Sequence, residues 1–157
     1  MLRVMLVDDE PYILQGLQII VDWEREGYEI VALMTNGQEA LEYLRNNTVD
    51  LIISDIQMPV MNGLELLEKI NEEKISDARF VVLTGYDDFS YTQKAIRSNC
   101  HDYILKPVKK EELLSIIRNV SNLTLESHKQ KENQEQMQDA FLISLTIMVF
   151  QLLFVFQ

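Results

Sequence analysis

The chain has 157 residues, 47% hydrophobic and 25% charged with five Gly and three Pro, which suits one compact domain plus an appendage and argues against a disordered or collagen-like polypeptide. Its 25 acidic against 14 basic residues give a formal net charge of −11, which repels phosphate backbones and argues against direct nucleic-acid binding by this chain. The single Cys100 excludes an internal disulfide, and Met1 to Glu10 lacks a basic-then-apolar leader, so the expected compartment is reducing and cytoplasmic.

Val4-Met5-Leu6-Val7 reads as a short strand that ends in Asp8-Asp9-Glu10-Pro11. Ile13, Leu14, Leu17, Ile20 and Val21 then recur at helical spacing. Pro11 suits the first helical turn, and an Asp before it is expected to cap the free amides. The pattern repeats: Glu29 to Met34 is a strand, Gly37 to Arg45 a helix, Asp50 to Ser54 a strand and Gly63 to Glu73 a helix. Phe80 to Leu83 and Tyr103 to Leu105 complete five strands, with helices at Asp88 to Ser98 and Lys110 to Leu125. Short strands alternating with helices imply parallel pairing, so the class is α/β.

Beyond Leu125 the composition changes twice. Glu126 to Asp139 is polar without Gly or Pro and is expected to prolong the last helix; Ala140 to Gln157 carries no charge. The expected organisation is a domain at 1–125, a polar helical linker at 126–139 and an apolar segment at 140–157, with no effector domain. As a helix those 18 uncharged residues reach about 27 Å, close to the roughly 30 Å hydrocarbon thickness of a bilayer, with apolar residues on every face. No Lys or Arg stands beside Asp139, which disfavours a dedicated anchor. Membrane association through 140–157 is therefore the alternative to a purely cytoplasmic protein.

In open parallel sheets functional groups collect beyond the carboxyl ends of the strands. Those ends carry Asp8 and Asp9, Asp55, Thr84 and Lys106. Three carboxylates form an oxygen cage of the kind that hard cations such as Mg²⁺ prefer. Two carboxylates about 4 Å apart repel by roughly 4 kcal/mol at an effective dielectric near 20, so a cation relieves the crowding. With Thr84 and Lys106 the set offers what a phosphoryl group needs: a carboxylate nucleophile, a metal on its oxygens, and a hydroxyl and an ammonium for the remainder. Taken singly, the Asp pair is a helix cap, Asp55 a turn residue and Lys106 a solvated surface side chain. Their joint placement makes them a site.

Val7-Asp8-Asp9-Glu10, Asp55-Ile56-Gln57-Met58-Pro59 with Gly63, Val82-Leu83-Thr84-Gly85 and Asp102-Tyr103-Ile104-Leu105-Lys106-Pro107 resemble the signatures of the two-component response-regulator receiver domain over about Met1 to Leu125. The likeness is greatest to receivers that precede AraC-type DNA-binding domains, which often share Gly-Tyr-Asp-Asp-Phe, here Gly85 to Phe89. The resemblance implies a doubly wound (βα)5 fold of strand order 2-1-3-4-5. It further implies Asp55 as phosphoacceptor, Mg²⁺ on Asp8, Asp9, Asp55 and the Gln57 carbonyl, Lys106 paired with the phosphoryl group, and Thr84 with Tyr103 as a switch pair. A sensor histidine kinase is the implied partner, and the face of the fourth helix, fifth strand and fifth helix is the implied place for a homodimer.

Val60 stands where the family often has Gly, Asn62 where Asp is common, and Asn99-Cys100 replaces a common Gly-Ala; Asn99 is suited to a left-handed turn. Gln57 and Tyr86, two residues after Asp55 and Thr84, are expected to flank the approach of a hydrolytic water. Two other functions compete: a Mg²⁺-dependent phosphohydrolase with an aspartyl-phosphate intermediate, and a receiver-like scaffold that is never phosphorylated. Gln57 stands where such a hydrolase carries its acid/base carboxylate, and the five chemical positions are intact, so the chain is expected to be a switch and not an enzyme. Pro107 is expected to aim Lys106 through a rigid peptide. Cys100 reads as an inert, buried small side chain, and His101 and His128 lack metal-ligand companions.

Overall fold

The computed structural model describes residues 1–85 and 89–155, without the side chains at 89, 91 and 92. Tyr86 and the two aspartates after it, with the start expected for the fourth helix at Asp88, lie outside the described residues, as do Phe156 and Gln157. Five strands and five helices alternate: β1 Leu2–Val7, α1 Pro11–Ile20, β2 Tyr28–Met34, α2 Gly37–Asn46, β3 Leu51–Asp55, α3 Gly63–Glu73, β4 Arg79–Thr84, α4 Phe89–Arg97, β5 Asp102–Leu105 and α5 Lys110–Val155. All strand pairs are parallel, in the order β2-β1-β3-β4-β5.

Period-two alternation sorts each central strand between two cores. Val4 and Leu6 of β1, Leu51 and Ile53 of β3 and Val81 and Leu83 of β4 join α1 and α5 residues on one face. Met5, Val7, Ile52, Phe80 and Val82 join Leu41, Leu44, Leu64 and Leu67 on the other. Helices on both faces explain why these strands are apolar throughout. On the first face the Tyr28 hydroxyl donates 2.6 Å to the Ile117 carbonyl, and its ring stacks edge-on against Trp23 at 5.9 Å. Burial pushes the Tyr28 hydroxyl's pKa well above its ordinary value. Local sequence gives no sign of this anchor between β2 and the base of α5.

The structure corrects the expected cap of α1. Its N-cap is Glu10, which makes no side-chain cap bond, and Pro11 takes the first turn. Asp8 instead accepts from the Glu10 amide at 2.9 Å, which holds its carboxylate over the sheet edge. Asn62 caps α3 in a reciprocal box with Glu65, and Asn99 takes the left-handed turn expected of it, at φ 64°. The chain divides into two compact units, Met1–Ser121 and Asn122–Gln157. In the second, the polar and apolar stretches are both helical to Val155, within α5.

Candidate functional site

The sheet order reverses between β1 and β3, which pair through Val7 and Ser54. Asp8 and Asp55 therefore leave adjacent strands at the switch point, where an α/β sheet opens a crevice. The Lys106 amide donates 2.8 Å to the Thr84 carbonyl, continuing the β4–β5 ladder one step past the strand ends and lifting Lys106 to the same edge. Carboxylate oxygens of Asp8, Asp9 and Asp55 lie within 4.8 Å of one another.

Asp8 and Asp55 are held alike. In each, Oδ1 accepts from a backbone N–H, that of Glu10 at 2.9 Å and that of Ile56 at 2.8 Å. In each, Oδ2 faces the Lys106 ammonium, at 3.1 Å for Asp8 and 3.2 Å for Asp55. Asp8 is fully buried, Asp55 is 7% exposed, and Asp9 is open to solvent.

Asp8 and Asp55 thus share the Lys106 ammonium, with Glu10 Oε1 at 4.0 Å and Asp9 adding further negative charge beside them, and titration behaviour reflects the excess. Burial, then the charge of Asp8, pushes the Asp55 pKa up to about 6 against the opposing pull of Lys106 and the Ile56 N–H. Burial likewise raises Asp8. Burial works against the charge of Lys106, but Asp55 and Asp8 outweigh it and hold that pKa above its ordinary value. An all-oxygen donor set with surplus negative charge suits a hard divalent cation.

The loop after Asp55 doubles back to enclose the site. The Gly63 N–H donates 2.8 Å to the Ile56 carbonyl, and a Cβ on Gly63 would collide with the Asp55 carbonyl oxygen. Within this loop Val60 has φ 68°, and the Met61 N–H donates 2.8 Å to the Pro59 carbonyl across it, the hydrogen bond of a γ-turn. A β-branched residue at positive φ is strained by roughly 1–2 kcal/mol. Val60 is 82% exposed, so no packing offsets that strain. Val60→Gly should therefore raise the stability by about 1 kcal/mol, read as a higher urea midpoint at unchanged slope. A lower midpoint would show an unstrained turn.

Thr84 is buried at the end of β4, its hydroxyl donating to the Gly85 carbonyl at 3.3 Å. Gln57 is exposed just after Asp55. Tyr103 lies on β5, 39% exposed. The Lys106–Pro107 peptide is cis. Away from the site, Cys100 is half-buried, burial raising its thiol pKa, and His101 Nε2 contacts Asn119 Oδ1 at 3.2 Å. The paired tethering of Asp8 and Asp55 has no signal in the sequence, because it depends on how separate strand ends meet, whereas Gly63 was marked by the motif and the structure adds its crowding against the Asp55 carbonyl.

A parallel sheet that gathers carboxylates and a lysine at its switch point defines an α/β domain with an acidic site suited to a hard cation. The model of the response regulator receiver domain matches residues 4–118, and the chain belongs to that family. It is similar to the transcriptional regulatory protein YesN of Bacillus subtilis, 33% identical over 120 residues, which cover 76% of this chain and 32% of that protein. It is also similar to the transcriptional regulatory protein HptR of Staphylococcus aureus, 34% identical over 130 residues, 83% of this chain and 50% of that one. The chain thus spans about a third to a half of the length of these relatives. Among solved structures, the receiver domain of the response regulator AraT from Geobacillus stearothermophilus has a TM-score of 0.73 at 38% identity, covering 82% of this chain and 98% of that one. A CheY-like receiver from Methanospirillum hungatei has a TM-score of 0.69 at 30% identity, covering 80% and 98%.

Proposed function

We propose that this chain is a phosphorylation switch in which Asp55 accepts a phosphoryl group from a sensor histidine kinase and changes the binding preference of the α4, β5 and α5 face. The observation that carries it is the placement of Asp55, nearly buried at the switch point with one oxygen tied to Ile56 and the other facing Lys106. Asp8, Asp9 and Asp55, with the Gln57 backbone carbonyl, would hold Mg²⁺. When bound, the ion supplies charge neutralisation for the phosphoryl oxygens.

Asp55 supplies the nucleophile. Its raised pKa, about 6, makes it more basic than an ordinary carboxylate while leaving it ionised at neutral pH. A carboxylate oxygen bonds to phosphorus as the bond from phosphorus to the donor's imidazole nitrogen breaks, and that nitrogen keeps the electron pair. Lys106, already beside Asp55, transfers its ion pair to a phosphoryl oxygen. Thr84, at the neighbouring strand end, turns toward the new charge, and Tyr103 moves inward from its present exposed position. The recess lined by Tyr12, Ile13, Gly16, Ile20 and Pro107 borders Lys106 and supports docking of the donor beside the site.

Gln57 offers no acid/base carboxylate, which supports a switch over a phosphohydrolase. The receiver takes in residues 1–125, and 126–139 form a polar helical linker. The transcriptional relatives support an output to transcription, through an AraC-type partner domain, with DNA contacts made outside this chain. The receiver works in the cytoplasm, and its α4, β5 and α5 face is also where two phosphorylated copies would pair.

Acetyl phosphate should label the chain only with Mg²⁺ present and not at all in Asp55→Asn. Label in that variant, or equal label in EDTA, would refute the assignment. Asp9→Ala removes one charged ligand from three and should weaken Mg²⁺ binding by about tenfold or more. Calorimetric titration showing native affinity would remove Asp9 from the site.

A further inference from the structure

The apolar stretch after Asp139 has no part in the phosphoryl chemistry. Its helical residues Ala140 to Val155 are all exposed, and none carries a charge. Phe141, Leu142, Ile143, Leu145, Ile147, Met148, Val149, Phe150, Leu152 and Leu153 advance by about 100° per residue and so cover every side of the helix. A surface helix of a soluble domain is apolar along one stripe, and a two-stranded coiled coil at two positions in seven. Neither geometry would cover this circumference.

Two other kinds of segment share this composition. A core helix is enclosed by its own domain, whereas nothing in this window is buried. A secretory leader precedes its domain, whereas this run follows a complete five-stranded sheet. The uncharged run of 18 residues lies within the roughly 17 to 25 that cross a hydrocarbon core. The Thr146 hydroxyl donates to the Leu142 carbonyl at 2.9 Å, satisfying its proton within the helix as a water-free medium requires.

We infer that residues 140–157 insert into a lipid bilayer and attach the receiver to a membrane. The attachment is hydrophobic and not electrostatic. Upstream, Glu126, Glu132, Glu135 and Asp139 outnumber Lys129 and Lys131, so the linker gains nothing from an anionic surface.

The test is flotation of the full chain, transferred from detergent into neutral phosphatidylcholine vesicles. The protein should float with the vesicles and stay with them through molar salt and alkaline carbonate. Ile147→Lys with Phe150→Lys, near the middle of the run, should lower the vesicle-bound fraction by about a hundredfold or more. Acetyl phosphate labelling of that variant at the native level would show that its receiver is folded. A native chain that stays in the vesicle-free fraction, whether as a monomer or as a defined oligomer covering its own apolar surface, would overturn the inference. So would release by carbonate, or flotation of the double-lysine variant equal to that of the native chain.

Discussion

In metal-free buffer at pH 7.5, Asp55→Asn should be more stable than the native chain by about 3 kcal/mol, although it removes the residue on which the chemistry depends. Asp55 is almost wholly buried, and its pKa rises from 3.8 in the unfolded chain to about 6 in the folded one. The folded state therefore binds more protons than the unfolded state between those values, and stability falls as pH rises through that window. Roughly two pKa units correspond to about 3 kcal/mol. Below pH 3.8 the native side chain is neutral in both states and resembles Asn, so the two proteins should converge. Denaturant titrations of both, in EDTA from about pH 3.5 to 7.5, give the difference, with titrating groups remote from the site cancelling. A difference independent of pH, or native protein more stable at pH 7.5, would show that Lys106 already compensates Asp55 fully. Added Mg²⁺ should close the gap by stabilising the native chain more than the variant.

Gly63→Ala should destabilise the chain by about 3 kcal/mol or more and slow acetyl phosphate labelling, without touching a charged group. Its Cβ would strike the Asp55 carbonyl oxygen and come within 3.0 Å of the Asp55 carbonyl carbon and 3.1 Å of Ile56 Cα. All three are backbone atoms, so no rotamer change relieves the clash; β3 and α3 must separate, and the Gly63–Ile56 hydrogen bond lengthens. Gly16 provides the control. It lies inside α1, and a Cβ added there would meet nothing within 4 Å, so Gly16→Ala should stabilise by about 0.5–1 kcal/mol through helix propensity. Equal, small effects at both positions would mean that the loop after Asp55 yields freely.

The paired behaviour of these variants follows from one design. The site crowds carboxylates against a nearly buried acceptor and closes a tight loop over it, so local stability is lower than the same fold could reach. Asp55→Asn and Val60→Gly relieve two separate sources of that strain, one electrostatic and one in backbone torsion. A double-mutant cycle measures whether the two are coupled through the loop that joins them.

The alternation of apolar runs with helical spacing was enough to determine the α/β class and the five strands, because strands covered on both faces must be apolar and crossover helices must be amphipathic. The strand-end positions of Asp8, Asp55, Thr84 and Lys106 were legible for the same reason: each directly follows, or ends, an apolar run. Asn99 was legible because few residues tolerate a left-handed turn. What only the tertiary structure decided depends on atoms brought together from distant parts of the chain. The sharing of Lys106 between Asp8 and Asp55 spans 98 residues on one side, and the Tyr28–Ile117 bond spans 89. The N-cap position of α1 fell to Glu10, whose side chain makes no cap bond, while Asp8 is held in the site, a placement invisible in the local sequence. Likewise the positive φ of Val60 belongs to a loop that Gly63 ties back to Ile56, and the burial that raises the Asp55 pKa exists only once the sheet has closed around it.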